Sequence, residues 1–96
     1  MFEMPKPVRP IDEPREVRIK RLAMRSMRRG IKEMDLILSA YATKHLDKMS
    51  DAGLTLYDDL LDENDHDLYQ WVTEQKLPDP AYSDLIKDIQ VHVAQQ

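Results

Sequence analysis

Arginine, glycine and glutamate at positions 29, 30 and 33 are the residues of this chain whose types and spacing most invite a chemical reading. They lie in RSMRRGIKEMD, Arg25 to Asp35, where Gly30 is one of only two glycines and follows a run of arginines. A glycine in a helix interior costs about 1 kcal/mol relative to alanine, so one placed here marks a break, a cap or a surface approached closely. Two readings compete. In the first, Gly30 ends one helix or caps the next, and Glu33 reaches back to unpaired amides as in a capping box; Arg29 and Glu33, four apart, can also pair on one helical face. In the second, the same residues face outward. The bare glycine admits foreign backbone, Arg29 offers a planar fork to carboxylates or carbonyls, and Glu33 accepts a partner's donors. The excess of arginine over lysine favours this second reading, with Arg25, Arg28 and Lys32 assisting electrostatically.

Other chemistry is poorly represented. His45, His66 and His92 have no metal-ligand spacing, and the chain has no cysteine, which removes disulfides, thiolate nucleophiles and cysteine zinc sites. The acidic run DENDHD from Asp62 resembles a calcium loop only superficially. Asp67 stands where that loop needs glycine and Thr73 where it needs the bidentate glutamate. There is no glycine-rich phosphate cradle and no nucleophile elbow. Trp71 reads as a packing anchor, and Met24, Met27 and Met34 as gap-filling core or the rim of an adaptable binding face. These absences point away from an enzyme and towards a binding protein.

The elements that must position these residues are helical. The chain's 96 residues suit one small domain. Four of its six prolines fall within the first fourteen residues, so positions 1–14 read as a flexible, proline-rich tail and 15–96 as a single helical domain. Ile19, Leu22, Ala23 and Met27 share one face of a first helix, while Arg18, Arg21, Arg25 and Arg28 line another. A second helix is predicted from near Gly30 to about Met49, with Met34, Ile37, Leu38, Tyr41 and Leu46 inward, at the centre of the bundle. Ser50 caps a third helix carrying Leu54, Tyr57, Leu60 and Leu61. Asn64 or Asp65 caps a short fourth carrying Leu68, Trp71 and Val72. Asp79 with Pro80 opens a last helix carrying Leu85, Ile86, Ile89 and Val93. No segment alternates with period two, so the expected fold is all-α, a small antiparallel bundle of about five short helices.

Charge is sorted along the chain. Residues 1–48 hold twelve Lys/Arg against seven Asp/Glu, and residues 49–96 hold two against eleven. Such polarity bears on partner choice more than on fold. A nucleic-acid partner is disfavoured by the net charge of -4 and by the lack of aromatics among the basic residues. No run is long enough for a membrane span, and Glu3, Asp12 and Glu13 are unlike a targeting leader, so the sequence reads as a cytoplasmic protein without membrane insertion.

The run RRGIKEMDLIL, with YATKHL and LTLYDDLLDENDHDLYQWVTEQ after it, resembles the SdhE family of succinate dehydrogenase assembly factors, whose signature is Arg-Gly-x-x-Glu. Arg29, Gly30 and Glu33 match that signature, and the similarity covers roughly residues 15–75. The resemblance implies a five-helix protein that binds the flavoprotein subunit of succinate dehydrogenase or of a fumarate reductase and promotes covalent attachment of FAD there; a monomer is expected. It implies no catalytic residue in this chain and no stably bound cofactor, because the FAD belongs to the client. Relatives have also been labelled antitoxins, so the alternative is a regulatory protein-binding or nucleic-acid-binding module that uses the basic first helix.

Overall fold

Residues 13–95 are described by the computed structural model, and every regular element among them is helical. α1 spans Arg15–Arg25, α2 Lys32–His45, α3 Asp51–Leu60, α4 Asp65–Val72 and α5 Ser83–Ala94, with single 3-10 turns at Leu46–Lys48 and Pro80–Tyr82. The chain forms the expected all-α architecture.

Local chemistry explains most boundaries. Ser50 Oγ accepts from the Gly53 N–H at 3.1 Å, Asn64 Oδ1 from His66 at 2.8 Å, and Asp79 Oδ1 from Ala81 at 3.0 Å. Each bond satisfies an amide that a first helical turn leaves unpaired. α2 departs from expectation at both ends. It opens at Lys32 after an extended Ile31, and its α-geometry gives way beyond His45 to the 3-10 turn, short of Met49. The tighter turn keeps Leu46 buried and delivers the chain to the Ser50 cap. α4 ends on a Schellman cap: Glu74 takes the left-handed region at φ 63°, Gln75 N–H donates to Gln70 O at 2.8 Å and Glu74 N–H to Trp71 O at 3.2 Å.

α2 packs against α1, α4 and α5 and is the centre of the bundle. Its Met34, Leu38 and Tyr41 are fully buried and meet Leu22 of α1, Leu54, Tyr57 and Leu60 of α3, Leu68 of α4, and Ile86 and Ile89 of α5. Truncating one such leucine to alanine costs about 2–5 kcal/mol. Trp71 is half-buried against this core, its ring centroid 6.2 Å from that of Tyr82. Tyr41 also ties α2 to α5, donating to Asp88 Oδ2 at 2.5 Å, stacking on His45 at 4.5 Å and meeting the edge of His92 at 5.6 Å. Burial and then the neighbouring His45 hold His92 below the usual histidine range.

The proposed tail lies outside the described residues except for Glu13 and Pro14. Both belong to the domain: the Pro14 carbonyl accepts the Arg18 N–H at 2.9 Å, and Glu13 grips Arg21.

Candidate functional site

The basic face of α1 is zipped to acids and carbonyls of α3 and the loop after it. Arg15 bonds to Asp51 Oδ1 at 3.2 Å and Arg18 to the Thr55 hydroxyl. Arg21 meets Asp58 at 2.8 and 3.1 Å and Glu13 at 2.7 and 2.9 Å. Arg25 bonds to Asp58 Oδ1, an oxygen that also accepts from Arg21, and reaches Asp62 at 2.6 Å. Arg29 closes the series on Asp65 at 2.8 Å. Positions 15, 18 and 21 of α1 thus face 51, 55 and 58 of α3 in helical register, and at and beyond the helix ends Arg25 and Arg29 carry the series on to Asp62 and Asp65. The Asp58 side chain is wholly buried between two guanidinium groups. Two bidentate carboxylate partners, Glu13 first and then Asp58, raise the Arg21 pKa, and the Arg21 hydrogen bonds hold Glu13 below the usual carboxylate range. Beneath the ladder, the Tyr57 hydroxyl lies 2.6 Å from Ser26 Oγ, and burial pushes its pKa up to about 12.

The α1–α2 junction, residues 26–31, is the ladder's last rung. The Arg29 side chain is only 12% exposed, and besides Asp65 it donates to the carbonyls of Leu61 at 3.1 Å, Arg25 at 3.2 Å and Glu63 at 3.4 Å. Gly30 is exposed, and its N–H donates to Asp65 Oδ2 at 2.6 Å. A Cβ there would come within 3.0 Å of that same oxygen. The glycine neither ends α1 nor caps α2, because Ser26 and Ile31 hold those positions. Its lack of a side chain lets the Asp65 carboxylate close on the junction from α4. The left-handed residue is instead Arg28, at φ 55°. Glu33 forms no capping box: no side chain caps α2, and Glu33 does not pair with Arg29.

The six residues singled out from sequence therefore separate into two groups. Arg25 and Arg29, expected to face a partner, are spent on Asp58, Asp62, Asp65 and backbone carbonyls. Arg28, Lys32 and Glu33 are exposed around Gly30 and meet no opposite charge among the described residues. Apolar side chains adjoin them. Met24 (73% exposed) and Met27 line a recess with Arg28, and Leu36 (63% exposed) shares the outer face of α2 with Lys32 and Glu33. Met34 joins the core, whereas Met24 and Met27 form a rim. The internal pairing that sequence reasoning missed had a signal: the acids Asp51, Asp58, Asp62 and Asp65 repeat with the same three-and-four rhythm as the arginines.

Among the described residues no three His, Asp or Glu side chains converge as a metal cage, and no helix is long and apolar enough to cross a membrane. A basic stripe already neutralised on α3 gives a phosphate backbone little to bind.

Comparison with known proteins gives these features a setting. The family model described as flavinator of succinate dehydrogenase matches residues 20–93. The mitochondrial succinate dehydrogenase assembly factor 2 of Meyerozyma guilliermondii is 50% identical over 68 residues, 71% of this chain and 50% of its own length. The factor 2-B of Drosophila persimilis is 42% identical over 90 residues, covering 91% of this chain and 57% of the relative. Factor 2 of Saccharomyces cerevisiae is 43% identical over 89 residues, covering 88% and 55%. The chain thus spans about half the length of these curated relatives. Their names place all three in mitochondria, which overturns the expectation of a cytoplasmic protein. The acids near residue 1 spoke only to a leader within these 96 residues and carry no information on location. With a family model matched over most of its length and relatives this similar, the protein belongs to the family of flavinators of succinate dehydrogenase.

Proposed function

We propose that the protein binds the flavoprotein subunit of succinate dehydrogenase through its α1–α2 junction and promotes covalent attachment of FAD to that subunit, without being an enzyme itself. The observation that carries this reading is the contrast in charge pairing. Arg15, Arg21, Arg25 and Arg29 are matched to acids, while Arg28, Lys32 and Glu33, exposed near the bare backbone of Gly30, stand unmatched among the described residues. Unmatched charges of both signs beside exposed Met24, Met27 and Leu36 suit a protein surface better than a small ion. Arg29 acts from inside, holding the junction against Asp65 so that Gly30 and Glu33 are presented in one geometry. The family match supports the identity of the client, and the relatives' names support assembly as the role. The flavin belongs to the client, a related fumarate reductase flavoprotein is a second client of the same surface, and the factor acts as a monomer.

The test is co-expression with the succinate dehydrogenase flavoprotein subunit, followed by flavin fluorescence of the denatured client. Glu33→Ala combined with Lys32→Ala is expected to cut flavinylation at least about tenfold while the melting temperature stays unchanged, because the energetic weight of an interface sits in few residues. Wild-type flavinylation by this double variant would reject the site. Wild-type binding with lost flavinylation would keep the surface and place its action after docking.

A further inference from the structure

Away from the α1–α2 junction in sequence, the acidic half of the chain contains one basic spot. Residues 49–96 carry two lysines against eleven acids, and both lysines, Lys76 and Lys87, line the same cavity of about 360 Å³. Neither lysine pairs with a carboxylate among the described residues. Leu77 and Pro78 give the cavity its apolar surface, laid over the buried Ile86, and Gln75, Ser83 and Gln90 add neutral polar groups. One acid, Glu74, also borders it, so the balance of formal charge is positive. The walls are built by the fold. The Schellman cap at Glu74 turns the chain so that Lys76 to Pro78 run over α5, whose first two turns contribute Ser83, Ile86 and Lys87. Leu77 is 93% exposed, the most exposed of the large apolar side chains.

We propose that this cavity binds a small organic anion with an apolar body, of the class of a medium-chain carboxylate. Its volume lies at the lower end of the range for small-molecule sites, which suits a ligand of roughly ten heavy atoms. Ammonium groups on Lys76 and Lys87 meet the carboxylate, and Leu77 with Pro78 takes the chain. A face needed only for solubility would follow the rest of this half and be acidic.

The chain supplies its own reporter. Gln90, in the cavity wall, donates through Nε2 to the carbonyl of Trp71 at 2.9 Å, and Trp71 is the only tryptophan. Full-length protein is titrated with hexanoate, hexylammonium and inorganic phosphate at constant ionic strength, following Trp71 fluorescence and amide shifts of Lys76, Leu77, Ser83 and Lys87. Hexanoate is expected to saturate with a dissociation constant on the order of a millimolar, as befits so few atoms. Hexylammonium and phosphate are expected to leave these signals unsaturated. The double variant Lys76→Gln/Lys87→Gln is expected to bind hexanoate about fivefold more weakly with an unchanged thermal melt, the scale of two part-exposed ion pairs. Saturation by hexylammonium or phosphate equal to that by hexanoate would overturn the proposal, as would an unaffected double variant. Binding of a glutamate-rich peptide with no response to hexanoate would replace it with a protein-docking surface. None of these outcomes depends on flavinylation.

Discussion

The two ends of the arginine series behave oppositely. Along α1 from Arg15 to Arg25, each guanidinium is met by a carboxylate or hydroxyl of α3 or its flanking loop, and Asp58 has no solvent exposure at all. Just beyond, Arg28 and Lys32 are exposed and unmatched among the described residues, separated by Arg29, which is largely covered and held on Asp65. One residue type thus does two jobs, set by whether α3 and α4 carry an acid opposite. Charges in the first group hold the bundle together, and charges in the second remain for a partner. Removing one of the first group should damage stability before function. Removing one of the second should do the reverse.

The largest effect is expected at Asp58. Asp58→Ala leaves Arg21 and Arg25 facing each other in a partly buried site, and an ion cluster broken on one side costs about 3–5 kcal/mol. Urea denaturation should show the midpoint falling sharply with an unchanged slope. A loss below about 1 kcal/mol would mean that water already screens the ladder.

Arg29→Lys comes next. Lysine keeps the charge but cannot reach Asp65 and the carbonyls of Leu61, Arg25 and Glu63 together, so two or three hydrogen bonds are lost, about 2 kcal/mol. If Arg29 works from inside, this variant loses stability and flavinylation together. Full stability with lost flavinylation would instead move Arg29 to the partner's side of the comparison.

Acid titration probes the ladder's other end. Arg21 holds the Glu13 pKa below its ordinary 4.5, so Glu13 contributes stability that is present above that pH and is lost as pH falls through the depressed value. Glu13→Gln should therefore be less stable than wild type at neutral pH and converge with it in acid, once pH has fallen through that depressed value. A difference that persists unchanged in acid would assign Glu13 a packing role alone.

Much of this was legible in the sequence because it depends on short-range chemistry. The caps at Ser50, Asn64 and Asp79 need only a side-chain oxygen two or three residues from an open amide. The core positions Leu22, Leu38, Leu54 and Ile86 follow from helical spacing. The ladder was misread because its meaning is tertiary: an arginine strip looks the same whether it faces solvent or another helix, and only the matching rhythm of Asp51, Asp58, Asp62 and Asp65 distinguishes the cases. The junction failed for a different reason. Sequence logic gives the left-handed position to glycine, but Gly30 is reserved for the close approach of Asp65, so Arg28 takes the positive φ.

That displacement yields a prediction in which stability and function move in opposite directions. Arg28→Gly removes the cost of a side chain in the left-handed region and should stabilise the fold by about 0.5–1 kcal/mol, seen as a raised melting temperature. It also deletes an unmatched charge from the proposed contact face, so flavinylation of the client should fall. Loss of both would place Arg28 with the structural arginines.

Glu33→Ala is expected to have the smallest effect on the isolated protein, and is informative for that reason. Glu33 is exposed in the first turn of α2, where a carboxylate gains at most a few tenths of a kcal/mol from the helix dipole, and no arginine or amide among the described residues holds it. Alanine recovers part of that small loss through its helix propensity, so the net change should stay within about 0.5 kcal/mol. Nothing inside the domain then accounts for a carboxylate three residues after Gly30. If Glu33→Ala leaves both the melt and flavinylation untouched, the division drawn above loses its outward half. A stable variant with failing flavinylation ties Glu33 to the client, because a residue without internal partners can only act on something outside.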